Sequence, residues 1–151
     1  MAELRALLDT NIIIHRENNH LTNESIGMLC WWLDKLKYKK CIHQCSIEEI
    51  HKHKDAEYVN LFDIKIDSYE HLNKFEQPNE EFLSIIATKY PVSNLNDIVD
   101  NQLLFEVYQK RVDLLITEDN KIREKSKILQ LNDKVLTIDE FILKCKKSIQ
   151  N

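Results

Sequence analysis

Short apolar runs alternate with helix-like patterns along most of this chain. Four runs have the length and composition of buried strands: Leu4–Leu8, Cys41–Cys45, Val112–Thr117 and Lys134–Ile138. Between them the apolar residues recur with helical periodicity, as in residues 22–37, 79–90 and 96–110. Strands that alternate with helices favour an α/β fold, in which a mostly parallel sheet is covered on both faces.

The sequence predicts one domain spanning residues 1–151, because this length suits a single core. One glycine and two prolines leave little room for the many tight turns of a β-sandwich. The hydrophobic pattern is weakest in residues 53–78, where we expect a short helix and an irregular connection. No apolar run approaches the roughly 20 residues that span a bilayer, and residues 1–5 (MAELR) lack a signal-peptide pattern, so we expect a cytoplasmic protein.

Helix starts are marked by capping residues. Asn79 precedes two acids, and an Asn-Asp pair at residues 96–97 opens the next helical pattern. Thr137 and Glu140 have the spacing of a capping box before the last helix.

A single acid, Asp9, stands between two apolar runs in Ala6–His15 (ALLDTNIIIH). A buried carboxylate costs several kcal/mol unless it is paired, hydrogen-bonded or bound to a metal. Asp9 therefore either caps the following helix or has a charged ligand.

Four acidic stretches are expected at one edge of the sheet. Asp9 follows the first strand, Glu49 follows the second, and Asp119 ends the third. Asp97 and Asp100 lie in the first turns of the helix that leads back into the third strand, and the N-terminus of such a helix lies at the carboxyl end of that strand. Ligands of open α/β sheets bind beyond these carboxyl ends.

Each acid also has a purely structural interpretation. Asp9 or Asp119 could be a helix N-cap, Glu49 could be the capping-box partner of Ser46, and Asp97 and Asp100 could favour the helix dipole. Taken together, carboxylates this close would repel one another and resist ionisation. Such a site suits hard divalent cations, whose bound water can attack a phosphodiester.

Charge and the placement of cysteines indicate less about function than the acidic residues do. The formal net charge is −4, and basic residues cluster at 35–40, 121–127 and 144–147. Each cluster taken singly indicates a solvated helix face, although together they could hold a polyanion near the acids. Cys41, His43 and Cys45 invite a zinc interpretation, but no second ligand pair has the usual spacing, so buried thiols are favoured.

The motifs resemble those of the PIN-domain nucleases, a family of metal-dependent ribonucleases that includes the VapC-type toxins. Residues 7–14 (LLDTNIII) resemble the opening strand with its acid, and residues 46–50 (SIEEI) resemble the second acidic motif. Residues 114–122 (LLITEDNKI) and 135–142 (VLTIDEFI) are similar to the final motif and the closing strand and helix. Asp100 lies nineteen positions before Asp119, the interval expected for the family, and is preferred to Asp97 as the third acid.

The resemblance implies a three-layer α/β/α domain with a sheet of four or five strands, and a metal-dependent endoribonuclease that uses Mg²⁺ or Mn²⁺. It implies the metal ligands and catalytic acids Asp9, Glu49, Asp100 and Asp119. Supporting polar side chains would be Thr10, Asn11, Thr117 and Asp97, and the RNA backbone would meet Lys121 and Arg123. Family members often form homodimers, and the toxins are neutralised by a small antitoxin protein.

Three other functions compete with this one. A structure-specific DNA nuclease would use the same metal site, and a binding module would keep the fold without the chemistry. A receiver-like phosphotransfer domain needs a phosphorylatable Asp and a Lys on other strands, and that pair is not found.

Overall fold

The computed structural model describes residues 3–13, 23–52 and 54–150, so Ile14 and His15 of the opening motif lie outside the described residues. The strands are β1 (Leu4–Leu8), β2 (Tyr38–His43), β3 (Glu70–Leu72), β4 (Leu114–Ile116) and β5 (Val135–Leu136). The helices are α1 (Asn23–Lys35), α2 (Gln44–His51), α3 (Ala56–Lys65), α4 (Glu80–Ala87), α5 (Leu95–Tyr108), α6 (Asn120–Ile128) and α7 (Ile138–Gln150). Residues 10–13 are also helical, and Ile66–Ser68 form a 3₁₀ turn.

All five strands pair in parallel, in the order β3-β2-β1-β4-β5. The central strand, β1, has Cys41 opposite Leu7 on one side and Ile116 opposite Leu8 on the other. After β1 the chain forms β2 and β3 on one side of this strand, and it then forms β4 and β5 on the other side. The predicted α/β fold with a parallel sheet is confirmed.

Two apolar cores cover the two faces of the sheet. Ala6 and Leu8 point to the first core, which α1, α3 and α7 complete. Leu7 points to the second core, which α4, α5 and α6 complete. This alternation along β1 gives the three layers, and both faces are buried, as expected for parallel strands. No helix within the described ranges has the length and apolarity needed to cross a membrane.

Several element boundaries differ from the predictions. Strand β2 ends at His43, so Cys45 belongs to α2 rather than to a strand that Cys41, His43 and Cys45 would share. Residues 53–78 contain strand β3 in addition to a helix. The sequence did not predict this strand, because it is an edge strand of only three residues without an alternating pattern. The N-cap of α5 is Asn94, two residues before the predicted Asn-Asp pair.

The other predicted caps are present. The Asn79 side chain accepts a hydrogen bond from the backbone N–H of Phe82. At α7, the backbone N–H of Glu140 donates to Thr137 Oγ1 (3.1 Å) and that of Thr137 donates to Glu140 Oε1 (2.9 Å), which completes the capping box.

Helix C-termini are closed without glycine. Lys37, Lys110 and Gln130 have φ of 62°, 63° and 59°, the left-handed region that glycine normally occupies after a helix. The single glycine, Gly27, lies instead within α1, where an added Cβ would meet nothing within 4 Å.

Candidate functional site

The first acid, Asp9, lies where β1 meets β4. Its backbone N–H donates to the carbonyl of Ile116 (3.0 Å), which extends the pairing of the two strands by one residue. Thr117, directly after β4, donates its hydroxyl proton to Asp9 Oδ2 at 2.6 Å. The same Thr117 oxygen accepts from the backbone N–H of Asp119 at 3.1 Å. The end of β4 therefore fixes the orientation of Asp9.

The second acid, Glu49, lies on α2 and is hydrogen-bonded to Thr10, the residue that follows Asp9. The Thr10 hydroxyl is 2.6 Å from Ser46 Oγ and 3.1 Å from Glu49 Oε1. Ser46 is not a helix N-cap, because α2 begins at Gln44 and its cap is His43. The capping-box interpretation of Ser46 and Glu49 is therefore wrong, and Ser46 instead holds the residue that follows Asp9.

The third and fourth acids come from α5 and the start of α6. Asp119 is the N-cap of α6, where its Oδ1 accepts from the backbone N–H of Ile122 at 3.0 Å. The structural interpretation of Asp119 is thus correct, and the cap occupies only one carboxylate oxygen. Asp100 lies in the second turn of α5 and is partly buried.

All four acids line one pocket at the carboxyl edge of the sheet, with a cavity volume of about 250 Å³. Its lining residues are Asp9, Thr10, Asn11, Glu49, Asn96, Val99, Asp100 and Asp119. Neither Asn96 nor Val99 was predicted from the sequence to line this pocket. The sequence indicated Asn96 only as a residue that caps a helix. In the structure α5 begins at Leu95, so Asn96 lies in its first turn, next to the pocket.

The carboxylates influence one another. Burial raises the pKa of Asp9, the Thr117 hydrogen bond opposes this, and Asp119 and Glu49 add to the rise. Burial raises the pKa of Asp100 to about 7, and the charges of Asp119 and Asp9 contribute. The pocket therefore disfavours a full set of negative charges.

Asp97 occupies a different environment from Asp100. It is 1% exposed, its Oδ1 lies 2.5 Å from Lys121 Nζ, and its Oδ2 accepts from the backbone and hydroxyl of Ser93. The Lys121 ammonium and then the Ser93 hydrogen bonds hold the pKa of Asp97 well below its usual range. Asp97 is not among the residues that line the pocket.

The basic residues of α6 are less available than their sequence suggests. Lys121 pairs with Asp97, and Arg123 Nη2 lies 3.2 Å from Glu140 Oε1. Lys125 is fully buried, so residues 121–127 are not a simple solvated face. Lys121 retains 40% side-chain exposure and Arg123 retains 30%.

The cysteine and histidine group does not form a metal site. His43 Nδ1 accepts from the backbone N–H of Cys45 and His43 Nε2 lies 3.2 Å from Glu106 Oε1, so both ring nitrogens have protein partners. Burial raises the pKa of the Cys41 and Cys45 thiols to about 12. These cysteines are buried free thiols, as the sequence indicated.

Comparison with solved structures finds proteins of similar fold. One similar structure is the crystal structure of VapBC2 from Rickettsia felis bound to a DNA fragment from their promoter. It matches with a TM-score of 0.57 and 17% identity, over 88% of this chain and 97% of that chain. The chain has a PIN-like fold. A second match, the PIN domain endonuclease Utp24, has a TM-score of 0.46 and 17% identity, over 80% of this chain and 75% of that chain. Neither a family model nor a curated protein sequence matches the chain.

The donor set of this PIN-like domain suits a hard divalent cation, since the acids supply oxygen ligands and their mutual repulsion favours a bound positive charge. As the side chains stand, no three His, Cys, Asp or Glu residues of the described ranges are grouped closely enough to enclose an ion. Thr117 and the α6 backbone each engage one oxygen of Asp9 and Asp119, respectively. The oxygen donors are therefore of the kind that a divalent cation prefers, although their spacing in this structure does not enclose an ion.

Proposed function

We propose that this chain is a metal-dependent endoribonuclease. The observation that carries the proposal is the convergence of Asp9, Glu49, Asp100 and Asp119, from four separate segments, on one pocket at the carboxyl edge of the sheet. The PIN-like fold supports a nuclease. Helix caps and dipole effects explain single acids, but they do not explain why four acids from separate segments line one pocket.

In this proposal the four acids hold Mg²⁺ or Mn²⁺. The ion, when bound, supplies charge stabilisation at the scissile phosphate and an activated water. Thr117 orients Asp9, and Thr10 orients Glu49, through the hydrogen bonds described above. Asn11 lines the pocket and can donate to a phosphate oxygen.

The substrate and partners belong to the same proposal. Lys121 and Arg123 lie on α6, which Asp119 caps, and their exposed ends can contact an RNA backbone. We further propose a homodimer that acts in the cytoplasm and a small antitoxin protein that neutralises it, by analogy with the VapC-type toxins. A short neighbouring reading frame that encodes a DNA-binding protein would support the antitoxin.

Cleavage of matched substrates tests the activity. We expect single-stranded RNA, but not DNA of the same sequence, to be cut with Mn²⁺ or Mg²⁺ and to remain intact with chelator. Asp9→Asn and Asp119→Asn should lower the rate by roughly 100-fold or more. Asp139→Asn, an exposed acid on α7, is the matched control and should keep the wild-type rate.

Two outcomes would replace the proposal. Cleavage of DNA alone identifies a DNA nuclease with the same site. No cleavage together with no Mn²⁺ binding by calorimetry identifies a binding module.

Melting curves test whether Asp9 holds the metal. Asp9→Asn removes one repelling charge and should raise the metal-free melting temperature. A ligand that binds only the folded state stabilises it by about 2.7 kcal/mol at a hundred times Kd. Mn²⁺ should therefore raise the melting temperature of wild type more than that of Asp9→Asn, which lacks one of the proposed metal ligands. Equal Mn²⁺ shifts in the two proteins would mean that Asp9 is only a cap and would exclude it from the site.

A further inference from the structure

A buried serine on α2 contacts one of the residues that line the acidic pocket. Ser46 Oγ lies 2.6 Å from the hydroxyl oxygen of Thr10, and that oxygen lies 3.1 Å from Glu49 Oε1. Thr10 and Glu49 line the pocket, whereas Ser46 is 0% exposed and is not among the lining residues. Thr10 is therefore the route by which Ser46 can act on the pocket.

A count of protons decides how these three side chains are bonded. The distances allow either hydroxyl to donate, because a hydroxyl rotates and has one proton and two acceptor lone pairs. If Thr10 gave its proton to Ser46, it would have none left for Glu49, and the 3.1 Å contact would lack that donor. If Ser46 donates to Thr10, the Thr10 proton remains for Glu49. The second arrangement makes both contacts hydrogen bonds, so it is the one that the geometry favours.

The backbone holds the three side chains in place for this arrangement. Ser46 and Glu49 are three residues apart on α2, so they lie on one face of the helix. Thr10 contacts both of them from the segment that follows β1. A hydroxyl that accepts a hydrogen bond also donates a stronger one, so the bond from Ser46 strengthens the bond to Glu49. Without Ser46, Thr10 would lose the shorter of the two contacts that fix the rotation of its side chain.

We propose that Ser46 is a positioning residue of the candidate site. It donates to Thr10, aims the Thr10 proton at Glu49 Oε1, and leaves Glu49 Oε2 as the oxygen that Thr10 does not bind. Ser46 contacts neither the RNA nor the reacting atoms. Its effect on cleavage rests on the proposed function, whereas the two hydrogen bonds belong to the protein without metal or RNA and can be tested alone.

The first test measures the side-chain rotation of Thr10 by NMR in chelator. Three-bond couplings to the Thr10 methyl carbon should show one χ1 rotamer in wild type and an average over rotamers in Ser46→Ala. Ser126→Ala is the matched control and should leave the Thr10 rotamer unchanged. Ser126 is also buried in a helix, but its hydroxyl donates to the backbone carbonyl of Arg123 (2.6 Å). An unchanged single rotamer of Thr10 in Ser46→Ala would overturn the proposal.

The second test measures cleavage of single-stranded RNA with Mn²⁺. Ser46→Ala should lower kcat by roughly 3–10-fold and leave KM unchanged, because it removes one hydrogen bond and no contact with RNA. Thr10→Val removes the link to Glu49 itself and should lower kcat at least as much. The double variant should be no slower than Thr10→Val alone, because Ser46 acts through Thr10. Losses that multiply in the double variant would overturn the proposal.

A second variant and the wild-type rate keep the outcomes separable. If Ser46→Ala does not fold, Ser46→Cys carries both tests, since a thiol replaces the hydroxyl with a weak donor. If wild type cuts no RNA, the proposed function fails, while the Thr10 rotamer still decides the role of Ser46. If wild type cuts RNA and folded Ser46→Ala cuts it equally fast, the proposed function stands and the role of Ser46 is refuted.

Discussion

The hydroxyl of Thr117 donates to Asp9 Oδ2 at 2.6 Å, across the junction of two parallel strands. Both residues are buried, Thr117 completely and Asp9 with 7% exposure. Since Thr117 is also hydrogen-bonded by the backbone N–H of Asp119, one hydroxyl group links the first and last acids of the pocket.

Replacing Thr117 with valine should therefore affect Asp9 specifically. Valine has the same shape, so we expect a loss of about 1–2 kcal/mol in unfolding free energy from the missing hydrogen bond. The pKa of Asp9 should rise further, because the bond from Thr117 opposes its elevation. NMR titration of the Asp9 carboxyl carbon measures this, and Thr88→Val, an exposed threonine, is the control. An unchanged Asp9 pKa would contradict the prediction.

Asp97 and Asp100 should respond in opposite directions when each is replaced by asparagine. Asp97→Asn leaves Lys121 and Lys125 without their carboxylate and should cost about 3–5 kcal/mol of unfolding free energy. Asp100→Asn should raise metal-free stability but abolish cleavage, whereas folded Asp97→Asn should retain activity. Denaturant unfolding and cleavage assays measure both effects. Loss of cleavage in Asp97→Asn alone would reverse the assignment of the third acid.

The stability of the metal-free protein should fall as pH rises from about 4 to 7. Asp100 has a folded-state pKa of about 7 because of burial, with Asp119, Asp9 and Asp97 opposing its ionisation and Lys125 favouring it. Since the folded state binds the proton more tightly than the unfolded state, stability is lost as pH rises through this window. We expect a contribution on the order of 2 kcal/mol. Urea unfolding in chelator at pH 5 and pH 8 measures it, and Asp100→Asn should flatten the trend. An equally steep trend in Asp100→Asn would assign it to another group.

Two substitutions, one that removes a glycine from a helix and one that adds a glycine after a helix, should each stabilise the fold. Gly27 lies in a helix with open space around it, so Gly27→Ala should add about 0.5–1 kcal/mol. Gln130→Gly relieves a left-handed residue at the end of α6 and should add a similar amount. Thermal melts of the single and double variants test this, with additive gains expected because the sites are independent. A loss of stability in Gln130→Gly would mean that its side chain contributes more than its backbone costs.

The sequence predicted the parts of the structure that depend on local patterns. Buried strands such as Leu4–Leu8 are contiguous apolar runs, and the capping box of Thr137 and Glu140 is a local hydrogen-bond pattern, so both are readable without tertiary contacts. The meeting of Asp9 and Thr117 followed from strand ends sharing an edge.

What escaped prediction depends on tertiary partners. Lys125 lies three residues after Ile122 and four before Leu129, so helical spacing places it on the buried face of α6, but the residue type argues against burial and only its partners on α5 account for it. Strand β3 has three residues and is defined by its pairing with β2 rather than by its own pattern. The catalytic and RNA-binding roles of the pocket residues stay predictions until cleavage is measured.

The position of β1 at the centre of the sheet has a consequence for the order of synthesis. Asp9 is synthesised more than one hundred residues before its neighbours on β4 and at the start of α6. A nascent chain that ends before Leu114 lacks the strand that pairs with this side of β1, and one that ends before Asp119 still lacks one acid of the pocket. Synthesis of this chain thus separates in time the appearance of the first acid from the completion of the pocket, which requires Asp119.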